Sequence, residues 1–322
     1  MALLEMRDLS VVYGTGAGPV PAVRNVTLSV DSGEILGVAG ESGCGKSTLA
    51  ATVLRLSPSN ATVTGQVLLG GEDVLTMKFG QLRAVRWGQA SIVFQGALHS
   101  LNPVRTVGRQ IAEPILLHDK VSEKAAATRV GELLEQVGLP ARRADAFPHQ
   151  LSGGQKQRVM IAMALACKPR LIIADEPTTA LDVMVQAQVL DLLVSLVREL
   201  DVALLMISHD LSVLGTTCDR VAVMYAGRVV EEGPAGKIFT DAKHPYSGAL
   251  SSAFPTVGDP ASRRSPRGLP GDPPDPLLLP GGCSFHPRCP VAVAECSVRE
   301  PELMTVSDGR SAACLLVQGA HA

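Results

Sequence analysis

Long uninterrupted apolar runs are missing from this sequence, and so is any excess of basic charge. No run of about 18 apolar residues occurs, the length a bilayer crossing needs, so no segment reads as a membrane span. The longest apolar-rich stretch, residues 183–208, carries Asp191, Arg198, Glu199 and Asp201. It reads instead as an amphipathic helix followed by a buried strand. Formal net charge is −2, so there is no basic footprint for a nucleic acid and none is expected as a partner. Residues 1–10 hold acids and no apolar core, so no export leader is expected. Without export, the seven cysteines are not expected to form a disulfide framework. What is present is bulk: 322 residues, 46% of them apolar, support one large domain and a smaller appendage.

Residues 1–70 read as β-hairpins around one βα unit. Short alternating segments at 3–9, 25–30 and 62–69 are broken at 14–21, 31–33 and 70–71. Continuous apolar runs at 35–39, 171–174 and 202–207 predict strands buried on both faces. Between the last two, Val185, Val189, Leu192, Leu193 and Leu196 follow a 3.6-residue period. Strand–helix–strand alternation predicts an α/β fold with a parallel sheet. Residues 96–167 are mostly helical in pattern. Val221–Tyr225 and 228–231 predict a hairpin around Ala226 and Gly227. Residues 255–282, rich in Pro, Gly and Arg, read as a linker before a cysteine-bearing tail.

Gly40, Glu41, Ser42, Gly43, Cys44, Gly45, Lys46 and Ser47, with Thr48 next, match the G-x-x-x-x-G-K-[ST] phosphate loop directly after an apolar strand. Glycines let backbone N–H groups converge on phosphate oxygens, and the following helix turns its positive end toward them. Lys46 would neutralise the β- and γ-phosphates of ATP, and the Ser47 hydroxyl would ligate Mg²⁺. The alternative is a plain glycine-rich turn, which the spacing and context disfavour. Asp175 and Glu176 end a buried strand, where carboxylates are costly unless they meet a cation. Asp175 is the expected Mg²⁺-side carboxylate, and Glu176 the candidate to polarise the attacking water. His209 ends the next strand and could orient that water. Gln95, after a third apolar strand, could complete the Mg²⁺ sphere. Tyr13 could stack on a base or pack in the core.

Leu151, Ser152, Gly153, Gly154 and Gln155 form a second glycine element. Its S-x-x-Q spacing is that of a helix capping box. Two glycines there would also expose N–H groups at a helix N-terminus, a second anion site. The Lys46 loop already cradles one nucleotide, so a partner subunit's phosphate is the natural occupant.

Tyr13, the Gly40 to Ser47 loop, Gln95, Leu151 to Gln155, Asp175 and Glu176, Ala180-Leu181-Asp182 and His209 occur in the order of ABC transporter ATPases, which the sequence resembles over roughly residues 3–250. Residues 100–103 (Ser-Leu-Asn-Pro), Phe147 to Leu151, His244-Pro245-Tyr246 and 282–289 resemble the ATP-binding subunit of di- and oligopeptide importers. The resemblance implies a P-loop NTPase sheet with an antiparallel β subdomain and a helical signature subdomain (about 96–167) in residues 1–254. Residues 255–322 would be a linker and Cys-rich extension. It implies two ATPase subunits sandwiching two ATPs, Lys46 and Glu176 of one facing Ser152 to Gln155 of the other, with Asp182 across the interface. The second ATPase would be a related but different chain. Two transmembrane permease subunits would be separate proteins, their coupling helix touching the segment after Gln95, and an extracytoplasmic substrate-binding protein would supply the solute. The chain would sit peripherally on the cytoplasmic face of the membrane. Residues 96–99 (Gly-Ala-Leu-His) depart from the family's usual wording, which puts the permease contact in question. Importers of nickel or another small solute, and a soluble non-transport ATPase, are the alternatives.

Cys283, Cys289, Cys296 and Cys314 crowd a segment too small for its own core, so a metal staple is expected. Zinc favours closer pairs. The wider spacings and the family tail they resemble favour a [4Fe-4S] cluster, with Zn²⁺, free thiols or disulfides as alternatives. Cys44 reads as a loop filler, and Cys167 and Cys218 as buried apolar residues.

Overall fold

The computed structural model describes residues 2–94, 100–179, 181–253, 269, 271–307 and 309–319. In chain order it runs β1 (Ala2–Thr15), β2 (Gly18–Asp31), β3 (Ile35–Ala39), α1 (Lys46–Val53), β4 (Ala61–Leu69), β5 (Glu72–Asp73), α2 (Phe79–Gly88) and β6 (Ala90–Val93). Helices α3 (Val107–His118), α4 (Glu123–Gln136) and α5 (Gly153–Ala164) follow, then β7 (Leu171–Asp175), α6 (Val183–Glu199) and β8 (Ala203–Ile207). The chain continues with α7 (Leu211–Thr217), β9 (Arg220–Tyr225), β10 (Arg228–Pro234), α8 (Ala235–Thr240) and α9 (Pro245–Ala253), and ends with β11 (Met304–Ser307), β12 (Arg310–Ala312) and α10 (Leu315–Gly319). Two compact units result: Asp31–Glu34 with Thr76–Leu205, and Ala2–Val30 with Ile35–Leu75 and Met206–Ala322.

In the first unit β6 pairs parallel with β7, from Ala90 opposite Leu171 to Val93 opposite Ala174. Every residue of β7 is buried, as expected of a strand covered on both faces. Helix α6 buries Val189, Leu190, Leu193, Leu196 and Val197. The period is the expected one, but the stripe is turned: Leu190 and Val197 replace Val185 and Leu192 on the buried side. Helices α3, α4 and α5 lie in the region the composition marked as helical.

In the second unit β3, all five residues buried, pairs parallel with β9 (Leu36 opposite Arg220, Ala39 opposite Val223). β9 turns back into β10 through Ala226 (φ 47°) and Gly227 (φ 82°), a turn whose two left-handed residues match the strand twist. β1 and β2 are longer than the sequence pattern suggested. The turn between them needs only Gly16 and Ala17, so residues 14–15 and 18–21 remain in strands rather than loop. β1 pairs antiparallel with β4, with a register shift between Arg7 and Ser10.

The cysteine-bearing tail is not a loose appendage. Its β12 pairs with β10 (Glu231 opposite Ala312), and β11 pairs with β12. Phe285, Ala312, Cys296 and Cys314 are buried. A segment too small for a core of its own thus extends an existing sheet. β8 starts in the first unit, where Ala203 N donates to Arg170 O (2.9 Å), and ends in the second, where the adjacent Ser208 N donates to Val38 O (3.2 Å). No helix among the described residues is long and apolar enough to cross a membrane.

Candidate functional site

The loop after β3 has the geometry its glycines require. Gly40 and Gly45 have φ of 150° and 105°, and a Cβ on either would overlap the carbonyl oxygen of Met224 or Ala22 respectively. Gly43 (φ 80°) faces open space, so the loop is tight on its inner side and clear on the other. Lys46, the first residue of α1, is buried, and its ammonium donates to Gly40 O (2.7 Å) and Glu41 O (2.9 Å). It therefore arches over the loop it serves. The first N–H groups of α1 have no partners within the helix, which makes this end an anion site. Cys44 is buried, a loop filler as expected. Tyr13 is half-buried and its hydroxyl lies 3.1 Å from Thr48 Oγ1, which fixes the ring beside the start of α1. His209 is exposed, on the stretch between β8 and α7. That stretch is held by Asp210, which caps α7 by accepting from Ser212 N (2.9 Å) and Val213 N (3.3 Å). Tyr13, the Gly40 to Thr48 loop and His209 all belong to the second unit.

The first unit holds the carboxylates and the second glycine element. Asp175 is buried at the end of β7. Glu176 adopts φ 44°, a left-handed conformation that costs a non-glycine residue about 1–2 kcal/mol. Its carboxylate accepts from Thr179 Oγ1 (3.0 Å) and its carbonyl from Thr179 N (3.2 Å). Such strain gathers at functional positions. Asp182 caps α6 by accepting from Val185 N (3.0 Å).

Both arms of the capping box are formed: Gln155 N donates to Ser152 Oγ (3.3 Å), and Ser152 N to Gln155 Oε1 (3.1 Å). The two glycines have separate jobs. Gly153 is half-buried, but Gly154 is buried against α6, where a Cβ would lie 2.5 Å from Val185 Cγ1. The missing side chain of Gly154 makes room for a neighbouring helix. Gln95, residues 96–99 and Ala180 lie outside the described residues.

Cys283, Cys289, Cys296 and Cys314 line one small cavity together with His244, Phe285 and His286. Cys283 N donates to Cys296 O (2.8 Å), joining two of the cysteine-bearing turns. Burial raises the thiol pKa of Cys283 and of Cys289. No disulfide joins the described cysteines, and no three His, Cys, Asp or Glu side chains among the described residues are set to hold a metal ion. Cys167 and Cys218 are part-exposed rather than buried; burial, with Asp119 adding to it, pushes the Cys167 thiol up to about 11.

Residues 23–179 match the ABC transporter family, and residues 230–296 match the oligopeptide/dipeptide transporter C-terminal region. A putative peptide import ATP-binding protein of Brucella abortus is 46% identical over 315 residues, covering 97% of this chain and 94% of the relative. The chain belongs to the ABC transporter ATP-binding proteins. The oligopeptide transport ATP-binding protein OppD of Escherichia coli is 44% identical over 97% of this ABC chain and 93% of its own length. The OppD of Bacillus subtilis is 42% identical over 95% and 86%. Among solved structures, a dimeric ATP-binding cassette, MJ0796, bound to ADP and Pi superposes with a TM-score of 0.65 at 29% identity, covering 72% of this chain and 98% of that one. CbiO1 of Clostridium perfringens, part of an ABC transporter complex, gives 0.63 at 30% identity, covering 74% and 91%. As an ABC transporter ATPase, the chain couples ATP hydrolysis to transport.

Proposed function

We propose that this chain is the ATP-hydrolysing subunit that powers peptide uptake through a separate membrane permease. The observation that carries this is the Lys46 loop, built with the glycine geometry of a phosphate cradle, in a chain 42–46% identical over nearly its whole length to peptide and oligopeptide import ATP-binding proteins. The chain divides at about residue 254 into an ATP-binding domain and a linker with its cysteine-rich extension. Lys46 neutralises the β- and γ-phosphates. Ser47, Asp175 and Gln95 would hold Mg²⁺, which would supply charge neutralisation at the transferring phosphoryl group. Glu176 takes a proton from the attacking water, and His209 holds that water and the γ-phosphate in line. Tyr13 offers its ring to the base.

Leu151, Ser152, Gly153, Gly154 and Gln155 serve the nucleotide of the second ATPase subunit, which is a related but different chain. Asp182 caps its own helix and also meets that subunit. The permease pair docks on the helical subdomain. A groove of about 660 Å³ there is lined by Arg105, Arg109, Glu113, Leu116, Leu117 and Glu123. An extracytoplasmic binding protein delivers the peptide, and this chain sits on the cytoplasmic side.

The four tail cysteines would hold a [4Fe-4S] cluster, with Zn²⁺ the alternative. Their convergence on one cavity supports this. All four line that cavity, and each thiolate of a four-iron cluster would bind a different iron. Binding would have to remove the protons that burial holds on Cys283 and Cys289. The cluster's role here is structural. The functional reading is tested by Glu176→Gln: ATP binding retained and turnover abolished support it, and normal turnover overturns the role of Glu176.

A further inference from the structure

The phosphate loop carries an acid where a polyanion must bind. Glu41, the residue after Gly40, presents its carboxylate to Arg288 in a two-pronged pair: Arg288 Nη1 to Oε2 at 2.7 Å and Nη2 to Oε1 at 3.0 Å. The Arg288 side chain is only 7% exposed and that of Glu41 22%. Nη1 also donates to the Tyr225 hydroxyl (3.3 Å), and the guanidinium lies 5.9 Å from the centre of that ring. The rest of Glu41 is held as well. Its N–H donates to the Tyr246 hydroxyl (2.9 Å), and its carbonyl accepts from Lys46 (2.9 Å). Arg288, Glu41 and Lys46 thus form one chain of contacts from the cysteine tail to the phosphate-binding lysine, with Tyr246 bonded to Glu41 beside it.

Arg288 reaches the loop only because the tail is folded. It ends a short 3-10 helix, His286–Arg288, in which His286 N donates to Cys283 O (2.9 Å) and Arg288 N to Phe285 O (3.0 Å). Phe285 anchors that helix, 1% exposed, with ring centres 5.3 Å from both Tyr225 and Tyr246. Cys283 and Cys289 bracket the helix and both line the four-cysteine cavity.

We propose that Arg288 is a positioning residue for nucleotide binding: it cancels the charge of Glu41 on the phosphate loop and so makes ATP affinity depend on a folded cysteine tail. The chemistry is electrostatic. An uncompensated carboxylate in the loop repels the triphosphate, whereas a guanidinium fork neutralises it and fixes its direction. A lysine would supply the charge but not the fork.

The test is titration of the full-length chain with a fluorescent ATP analogue and Mg²⁺, together with steady-state ATPase kinetics. Arg288→Ala is expected to weaken nucleotide binding roughly tenfold, the size of a close charge coupling, and to raise KM far more than it lowers kcat. Arg288→Lys should recover part of that loss. Adding Glu41→Gln to Arg288→Ala should restore affinity to within about twofold, because the repelling charge is gone; a merely structural role for Arg288 would show no such rescue. Added salt should shrink the Arg288→Ala defect by screening it. Unchanged affinity in Arg288→Ala overturns the proposal, and so does a double variant as weak as the single one. Should Arg288→Ala not fold, Glu41→Gln alone decides: affinity should rise, and a fall or no change overturns it. Wild-type chain that binds no ATP analogue would instead contradict the nucleotide-site reading itself.

Discussion

Replacing Gly154 with alanine separates packing from partner contact within the signature element. The new Cβ would lie 2.5 Å from Val185 Cγ1. Ordinary carbon–carbon contact is about 3.5–4.0 Å, so α5 and α6 must part by roughly 1 Å. Overpacking of this kind costs about 1–3 kcal/mol. Alanine returns up to about 1 kcal/mol in helix propensity. The clash wins, and the net loss should be about 1–2 kcal/mol. Val185 is β-branched and stiff, so it cannot swing aside cheaply. The prediction is sharpest as a double-mutant cycle. In a Val185→Ala background Gly154→Ala should cost about 1–2 kcal/mol less than in the wild type. Urea unfolding of the four proteins measures this. Additive losses, with a coupling energy near zero, would refute the packing role of Gly154.

Other outcomes follow from buried groups of the second unit and its tail. Burial holds His244 neutral, with its pKa down at about 4 against an ordinary 6.5. The unfolded chain takes up a proton that the folded chain refuses, so stability is complete above pH about 6.5 and falls as pH drops toward 4, by roughly 3 kcal/mol in all. His244→Gln should show a shallower decline in urea midpoint over that window, and parallel declines would refute the assignment. Anaerobic purification should give brown protein containing iron; colourless, iron-free protein with stoichiometric zinc would sink the cluster reading.

The phosphate loop was legible because its chemistry is local: eight consecutive residues determine the turn, the lysine and the helix start. The strands β3, β7 and β8 were legible because burial on both faces leaves a continuous apolar run. The α6 stripe was readable in period but not in phase, since the partner faces, not the helix, decide which of Leu190 and Leu192 is inside. The packing role of Gly154 was not legible, because a glycine at a helix crossing looks the same in sequence as one at an open amide, and only Val185 reveals the crossing. The link least visible was Glu41 to Arg288, separated by 247 positions. No periodicity or spacing signals a pair that far apart. The sequence marked the neighbouring Cys283 and Cys289 but gave no reason to look at the arginine between them. The tail was expected to need metal because it is small; its strand pairing with β10 shows that part of its support comes from the sheet it joins.

ATP hydrolysis and peptide uptake, measured together in membranes containing the assembled transporter, bear most directly on the proposed role. Wild-type chain should drive uptake in step with ATP turnover, and Glu176→Gln should bind ATP while abolishing both. Peptide uptake that persists with the Glu176→Gln chain as the only copy, or ATP turnover with no uptake of any peptide, would contradict it.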